Sequence, residues 1–301
     1  GDDREELLRV KLVLDRAWVR YLQGDYARAR ELTEQSLGLF RALGREDEEA
    51  LRVLARLYTV YAATVEELGE LERGRRFNQR TLELYEQLGD LGGVMTTLNN
   101  IGAGEYVDGD FDGAVAHLER SFELGARCGD VHGQAVNCCN LGFLFLLLDD
   151  QARARSYFEL YLELNARVDN RLGDGYAHSG LARLAAESGD AAVAEEHYLR
   201  ALGIFKELGA ERNYLDVRLE QAGFLAATGR ENEAWALMDE VYDRVGYDTL
   251  TLTELELLFR ITERRPLTGA EVARLRRVVE RAEKLIDRER FAVERLDLIA
   301  V

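Results

Sequence analysis

Helix-forming stretches in this chain are interrupted at a fixed spacing, and that spacing constrains the fold more than any other feature. The interruptions are Gly24-Asp25, Gly69-Glu70, Gly109-Asp110, Asp149-Asp150, Gly189-Asp190 and Gly229-Arg230, one step of 45 residues followed by four of 40. Seven residues before each break stands a small residue: Ala17, Ala62, Gly102, Gly142, Ala182 and Ala222. Five residues after it stands another: Ala29, Gly74, Ala114, Ala154, Ala194 and Ala234. Small side chains at both places let two antiparallel helices approach more closely than larger ones would. The stretch Thr96–Ala114 is the clearest copy, with Gly102 before its break at Gly109 and Ala114 after it. A helix pair of this size cannot bury its apolar face alone, so successive pairs are expected to stack.

The second helix of each pair carries leucines and aromatics at helical spacing, as in Leu32, Leu37, Leu39 and Phe40, or Leu199, Leu202, Ile204 and Phe205. Gly44, Gly89, Gly129 and Gly209 stand where a left-handed helix C-cap is expected. The chain has a single proline, Pro266, and no stretch alternates with the period of a strand. The expected class is all-α.

A net charge of −17 repels phosphate backbones and anionic lipid heads, so neither nucleic acid nor a membrane surface is expected as a partner. Arg274, Arg276, Arg277 and Arg281 are read as one solvated helix face. Three cysteines, Cys128, Cys138 and Cys139, form neither a disulfide framework nor a CxxC metal spacing. Reduced thiols and a cytoplasmic location are the expectation. The longest apolar run, Phe143–Leu148, is far too short to span a bilayer, and no signal peptide opens the chain. The first residue is Gly1 rather than Met, as in a piece cut from something longer.

The order of small residue, Gly-Asp turn, aromatic such as Tyr26 or Phe111, then alanine resembles the tetratricopeptide repeat. That repeat runs 34 residues, so a period of 40 is similar instead to its longer-helix variants in kinesin light chains, cell-polarity adaptors and bacterial signalling proteins. HEAT and armadillo repeats are about this long but lack the Gly-Asp turn with small residues at both offsets. The resemblance covers roughly Val10–Val245. It implies a right-handed α-solenoid of about six helix pairs over residues 1–246, followed by a degenerate C-terminal helical cap over residues 247–301.

The ends depart from the repeat. Five extra residues near Arg45–Ala50 lengthen a helix or a loop. After Gly246, Leu250–Arg264 reads as a helix with Leu252, Leu255, Leu258 and Phe259 on one face, ended by Pro266. Thr268 and Glu271 form a capping box for a helix running to about Arg290, and another helix is expected around Phe291–Ile299. Terminal repeats of a stacked array are atypical because their outer face meets water.

No catalytic or metal-binding constellation stands out, and no cofactor is expected. His117, His132, His178 and His197 are scattered singly, without HExxH or a cysteine at ligand spacing. Adjacent acids such as Glu66/Glu67 point about 100° apart on a helix and do not converge on one substrate.

The informative surface of such a solenoid is its inner curve, lined by the first helix of each pair. Two residues before the small position, Asn100 and Asn140 share one register in adjacent repeats. An amide offers both a donor and an acceptor, so a row of them can pair with an extended peptide backbone without reading its sequence. The motifs Asn99-Asn100-Ile101-Gly102 and Asn140-Leu141-Gly142 resemble groove motifs of the kinesin-light-chain type and of peptide-pheromone receptors, where asparagines hold the main chain of a bound peptide. The competing account is that these amides bond neighbouring helices or solvate a polar face. One residue past the small position come Trp18, Phe143 and Arg183, and four past it Tyr21 and Tyr106. The expected ligand-binding set is therefore Asn99, Asn100, Tyr106, Asn140, Phe143, Tyr176 and Arg183. The carboxylate clamp of chaperone-binding tetratricopeptide domains is not visible, since Leu14 and Trp18 occupy its first-repeat positions.

The expected function is a non-enzymatic scaffold that holds a peptide, or an extended segment of a partner protein, in the groove. The alternative is a ligand-sensing or inhibitor-binding arm attached to an effector domain in a longer chain, as in bacterial signal-transducing ATPase regulators. End-to-end self-association of an incompletely capped array is a third expectation.

Overall fold

A computed structural model describes residues 3–245, 258, 261–262 and 265–286. Thirteen helices are formed among the described residues, with no strand. They divide between two compact units, Gly1–Asn170 and Arg171–Val301. The first unit holds four helix pairs: α1 (Asp3–Leu22) with α2 (Tyr26–Leu43), α3 (Glu48–Glu67) with α4 (Leu71–Leu88), α5 (Leu91–Asp108) with α6 (Phe111–Cys128), and α7 (Val131–Leu147) with α8 (Gln151–Val168). The second unit holds α9 (Arg171–Glu187) with α10 (Ala191–Glu207), α11 (Glu211–Ala227) with α12 (Glu231–Val245), and α13 (Gly269–Ile286).

Most of the turns use the same local chemistry. Gly109 ends α5 at φ 81°, a left-handed backbone that a Cβ disfavours. The next residue, Asp110, caps α6 by accepting a hydrogen bond from the Gly113 amide at 3.1 Å. Asp25, Asp90, Asp130, Asp150 and Asp190 cap their helices in the same way. Two aspartates take over the glycine's own role, Asp149 at φ 58° and Asp169 at φ 53°.

The small residues do what their spacing predicts. A Cβ on Gly102 would meet Leu118 Cγ at 2.8 Å and the Ala114 carbonyl oxygen at 3.2 Å, and one on Gly142 would meet the Phe158 ring at 2.6 Å. Leu7, Leu14, Leu57 and Tyr61 form one buried cluster of the first unit, and Leu82, Leu98 and Leu124 another. In the second unit Tyr198, Phe205, Phe224 and Met238 pack together with Ile261. The five extra residues of the second repeat go to both expected places. The α2–α3 linker is two residues longer than the α4–α5 linker, and α3 begins three residues earlier relative to its break than α5 does.

The capping box at the start of α13 forms as expected. Glu271 accepts from the Thr268 amide at 2.8 Å, and its own amide donates to Thr268 Oγ1 at 3.3 Å. Arg265 and the Trp235 indole also donate to this carboxylate, holding it well below the usual range and tying α13 to α12. Arg274 pairs with Asp239 and lies over the Trp235 ring, so this arginine of the C-terminal basic cluster is engaged within the unit. The expected helices over Leu250–Arg264 and Phe291–Ile299, and the last turn of α13 to Arg290, fall largely or wholly outside the described residues.

Candidate functional site

In the first unit the groove-register residues lie on α5 and α7. Asn140 donates its side-chain amide to the Asn99 side-chain carbonyl at 2.9 Å, bridging two successive first helices. The structure thus brings Asn99 and Asn140 together, whereas Asn100, half-buried one residue on, joins neither. Phe143 is half-buried, with its ring edge-on to Phe158 on α8, centroids 5.0 Å apart. Tyr106 is 37% exposed at the far end of α5 and meets Phe111 edge-on at 6.3 Å. Trp18 and Tyr21 stack at 5.1 Å, and Tyr21 leans on Tyr26, so the first repeat presents a ring cluster at the end of α1.

In the second unit Tyr176 packs edge-on against Phe205, and its hydroxyl accepts from Asn213 Nδ2 on α11. Arg183 on α9 faces Glu220 on α11 at 3.8 Å, and Ser179 Oγ donates to the same carboxylate at 2.8 Å. Burial pushes the Glu220 carboxyl above the usual range, and Arg183 and Ser179 pull it back down. Arg183 and Glu220 rim a cavity of about 620 Å³ floored by the buried Tyr198 and Met238 and lined by Leu219 and Gly223. A Cβ on Gly223 would meet nothing within 4 Å. Unlike Gly102 and Gly142, this glycine is not demanded by packing.

Sequence reasoning singled out Arg183 but not Ser179, Glu220 or Gly223. The signal was present. Glu220 shares its register with Asn100 and Asn140, and Gly223 shares that of Phe143 and Arg183. Ser179 stands three residues before Ala182, as Asn99 stands three before Gly102, and Ser179–Glu220 repeats the Asn99–Asn140 bridge position for position.

The histidines are not all solitary, contrary to the reading from their spacing. His117 Nδ1 lies 2.7 Å from Glu105 Oε2, and His178 Nδ1 lies 3.0 Å from His197 Nδ1. Among the described residues no group of three or more His, Cys, Asp or Glu side chains is placed to hold a metal ion. The three cysteines are free, and burial pushes the Cys138 and Cys139 thiols up to about 12, far from the range of a reactive thiolate. No described helix is long and apolar enough to cross a membrane.

Pairs of antiparallel helices, with small residues on either side of a left-handed turn, make this an array of tetratricopeptide-like repeats. A family model for the tetratricopeptide repeat matches residues 93–167, the third and fourth pairs. No curated protein matches the chain in sequence. Solved structures similar to it include aspartyl phosphate phosphatase F from Bacillus subtilis, at 11% identity and TM-score 0.72, with 97% of this chain and 73% of that one covered. A Rap protein complexed with competence and sporulation factor is similar at 16% identity and TM-score 0.68, covering 93% and 77%. A signal transduction ATPase with a tetratricopeptide repeat sensor, from Pyrococcus horikoshii, matches at 16% identity and TM-score 0.66. The match covers 91% of this chain and 42% of the ATPase.

Proposed function

We propose that this chain is a non-enzymatic scaffold that holds a peptide, or an extended segment of a partner protein, on the faces presented by its first helices. The observation that carries the reading is the cavity beside Gly223. Its rim offers a guanidinium, a half-buried carboxylate and apolar walls at the register positions that hold Asn140 and Phe143 in the first unit. A side chain of a bound peptide can enter there, with Arg183 and Glu220 selecting it by charge. Asn99 and Asn140 use one acceptor and one donor on each other, which leaves the Asn140 carbonyl for a peptide backbone and the Asn99 amide protons for a ligand side chain. Asn100 and Asn140 hold the main chain, and Asn99, Tyr106, Phe143, Tyr176 and Arg183 set selectivity. The structural likeness to a Rap protein complexed with competence and sporulation factor supports this choice of ligand class.

Gly223→Trp tests the reading. The substitution fills the cavity from a position where a Cβ meets no neighbour, and it replaces a poor helix former. Peptides selected from a display library on the wild-type chain should lose at least tenfold in affinity while the melting temperature holds or rises. A library that yields no saturable binder, together with thermal stabilisation by a sugar or nucleotide, sinks the peptide reading.

A second reading takes the chain as the sensing arm of a larger regulator, supported by the likeness to the Pyrococcus ATPase with its tetratricopeptide repeat sensor. A gene that encodes a nucleotide-binding domain in the same chain would favour it.

A further inference from the structure

The fifth repeat is the one that places two imidazoles at a pair of matched positions on its two helices. The matched positions lie eleven residues before each break and eight after it, one on each helix of the pair. The pairs are Val13/Leu32, Tyr58/Phe77, Leu98/His117, Cys138/Tyr157, His178/His197 and Arg218/Leu237. In the second repeat the pair is an edge-on ring contact, Tyr58 against Phe77, with centroids 5.0 Å apart. In the fifth it is His178 on α9 against His197 on α10, with centroids 5.1 Å apart and the two Nδ1 atoms 3.0 Å apart.

We propose that His178 and His197 form a two-imidazole binding site for a borderline divalent cation of tetragonal preference, Cu2+ or Ni2+. Imidazole nitrogens bind first-row metals at roughly 2.0–2.1 Å, so two ligands at right angles stand about 2.9 Å apart, whereas tetrahedral ligands stand roughly 3.3 Å apart. The observed separation fits the first geometry. Imidazole is a preferred ligand for both ions, and the divalent series places Cu2+ highest. Both rings are half-buried rather than sealed from water.

Without a cation the same two nitrogens share one proton in a hydrogen bond. To bind, both rings take the tautomer with the proton on Nε2, leaving both Nδ1 lone pairs for the metal and releasing no proton overall. Arg200 on α10 places a positive charge near His178. The Arg200 charge is partly met by its ion pair with Glu196. Asp174 lies one helical turn before His178 on α9 and adds negative charge on the same face. The chain's net charge of −17 favours a cation over an anion.

The test is calorimetric titration of the full chain with NiCl2 and CuCl2 in a non-coordinating buffer, with MgCl2 as control. It is paired with the double variant His178→Tyr, His197→Phe, which installs the ring pair of the second repeat. One saturable Ni2+ or Cu2+ site, at least tenfold weaker in the variant and absent with Mg2+, is the expected result. A Cu2+ electron paramagnetic resonance spectrum of the wild-type chain should show coupling to two imidazole nitrogens, a readout that holds even if the variant folds poorly. Equal affinity in the variant, no saturable site, or a spectrum without two-nitrogen coupling overturns the proposal.

Discussion

Asn140 on α7 donates to Asn99 on α5 at 2.9 Å, and Ser179 on α9 donates to Glu220 on α11 at 2.8 Å across the same two register positions. Each bond ties one first helix to the next. A half-buried side-chain hydrogen bond contributes a net ~0.5–1.5 kcal/mol, so Asn99→Ala and Asn140→Ala should each cost about 1 kcal/mol. The double variant should cost less than the sum, because the bond is lost only once. A double-mutant cycle by urea denaturation reads this directly. Additive costs would mean the amides do not act as a pair. Affinity for a selected peptide should fall further in the double variant than in either single one, since a group assigned to the ligand backbone and one that sets selectivity are removed together.

Asp149 and Asp169 occupy left-handed positions where the matching residues of other repeats are glycine, at Gly109 and Gly129 for example. An L side chain there is strained, although Asp tolerates it better than most. Asp149→Gly and Asp169→Gly should each stabilise the first unit by up to about 1 kcal/mol, after the greater freedom of glycine in the unfolded chain is set against the relieved strain. The reverse change, Gly109→Asp, should destabilise by a similar amount. Thermal melts of the three variants give the signs, and a fall in melting temperature for both glycine variants would rule out this account.

Gly142 and Ala182 share a register, yet they are not interchangeable. Phe158 fills the space over Gly142 so closely that a Cβ would stand 2.6 Å from its ring. Phe158 is fully buried and has nowhere to turn. Gly142→Ala should therefore cost roughly 1–3 kcal/mol despite the better helix propensity of alanine. Combining it with Phe158→Leu should recover part of that loss, measured by the same denaturant midpoints. Failure of the smaller residue to recover any stability would place the strain elsewhere.

The helix pairs were legible because their determinants are local and repeat. Gly109 needs a left-handed backbone, Asp110 needs the amide three residues on, and Gly102 needs a close neighbour, and each requirement leaves a mark at a fixed offset. The candidate site was half legible. Asn99, Asn140 and Arg183 carry polar groups on a helix face, which the register exposes, but Asn99 meets Asn140 at a spacing of 41 residues, one more than the repeat. Reading one column of the register at a time hides a bond that joins two columns. The same blindness made His178 and His197 look solitary, since they stand 19 residues apart on different helices of one pair. Gly223 was passed over because a glycine that packing demands and a glycine that leaves a cavity are spelled alike. Only the surrounding side chains distinguish them.

Glu66 sets a pH dependence for the first unit. Its side chain lies in the gap left by Gly74, where a Cβ would collide with it, and it accepts from the buried Asn78 amide at 2.8 Å. Burial raises its pKa to about 7, with Glu67 adding to the rise and Arg75 and Asn78 opposing it. In the unfolded chain the same carboxyl loses its proton near 4.5, the unperturbed value. Between these values the folded state holds a proton that the unfolded state has released, so the stability from this group declines as pH rises from about 4.5 to about 7 and is constant beyond. Glu66→Gln keeps an oxygen for Asn78 and removes the charge. The variant should match the wild type near pH 4 and exceed it at pH 8 by on the order of 1–2 kcal/mol, a discount from the full shift for partial solvent access. Denaturant midpoints of both proteins across that range test it, and a stability difference independent of pH would show that Glu66 ionises in the folded chain as it does in water.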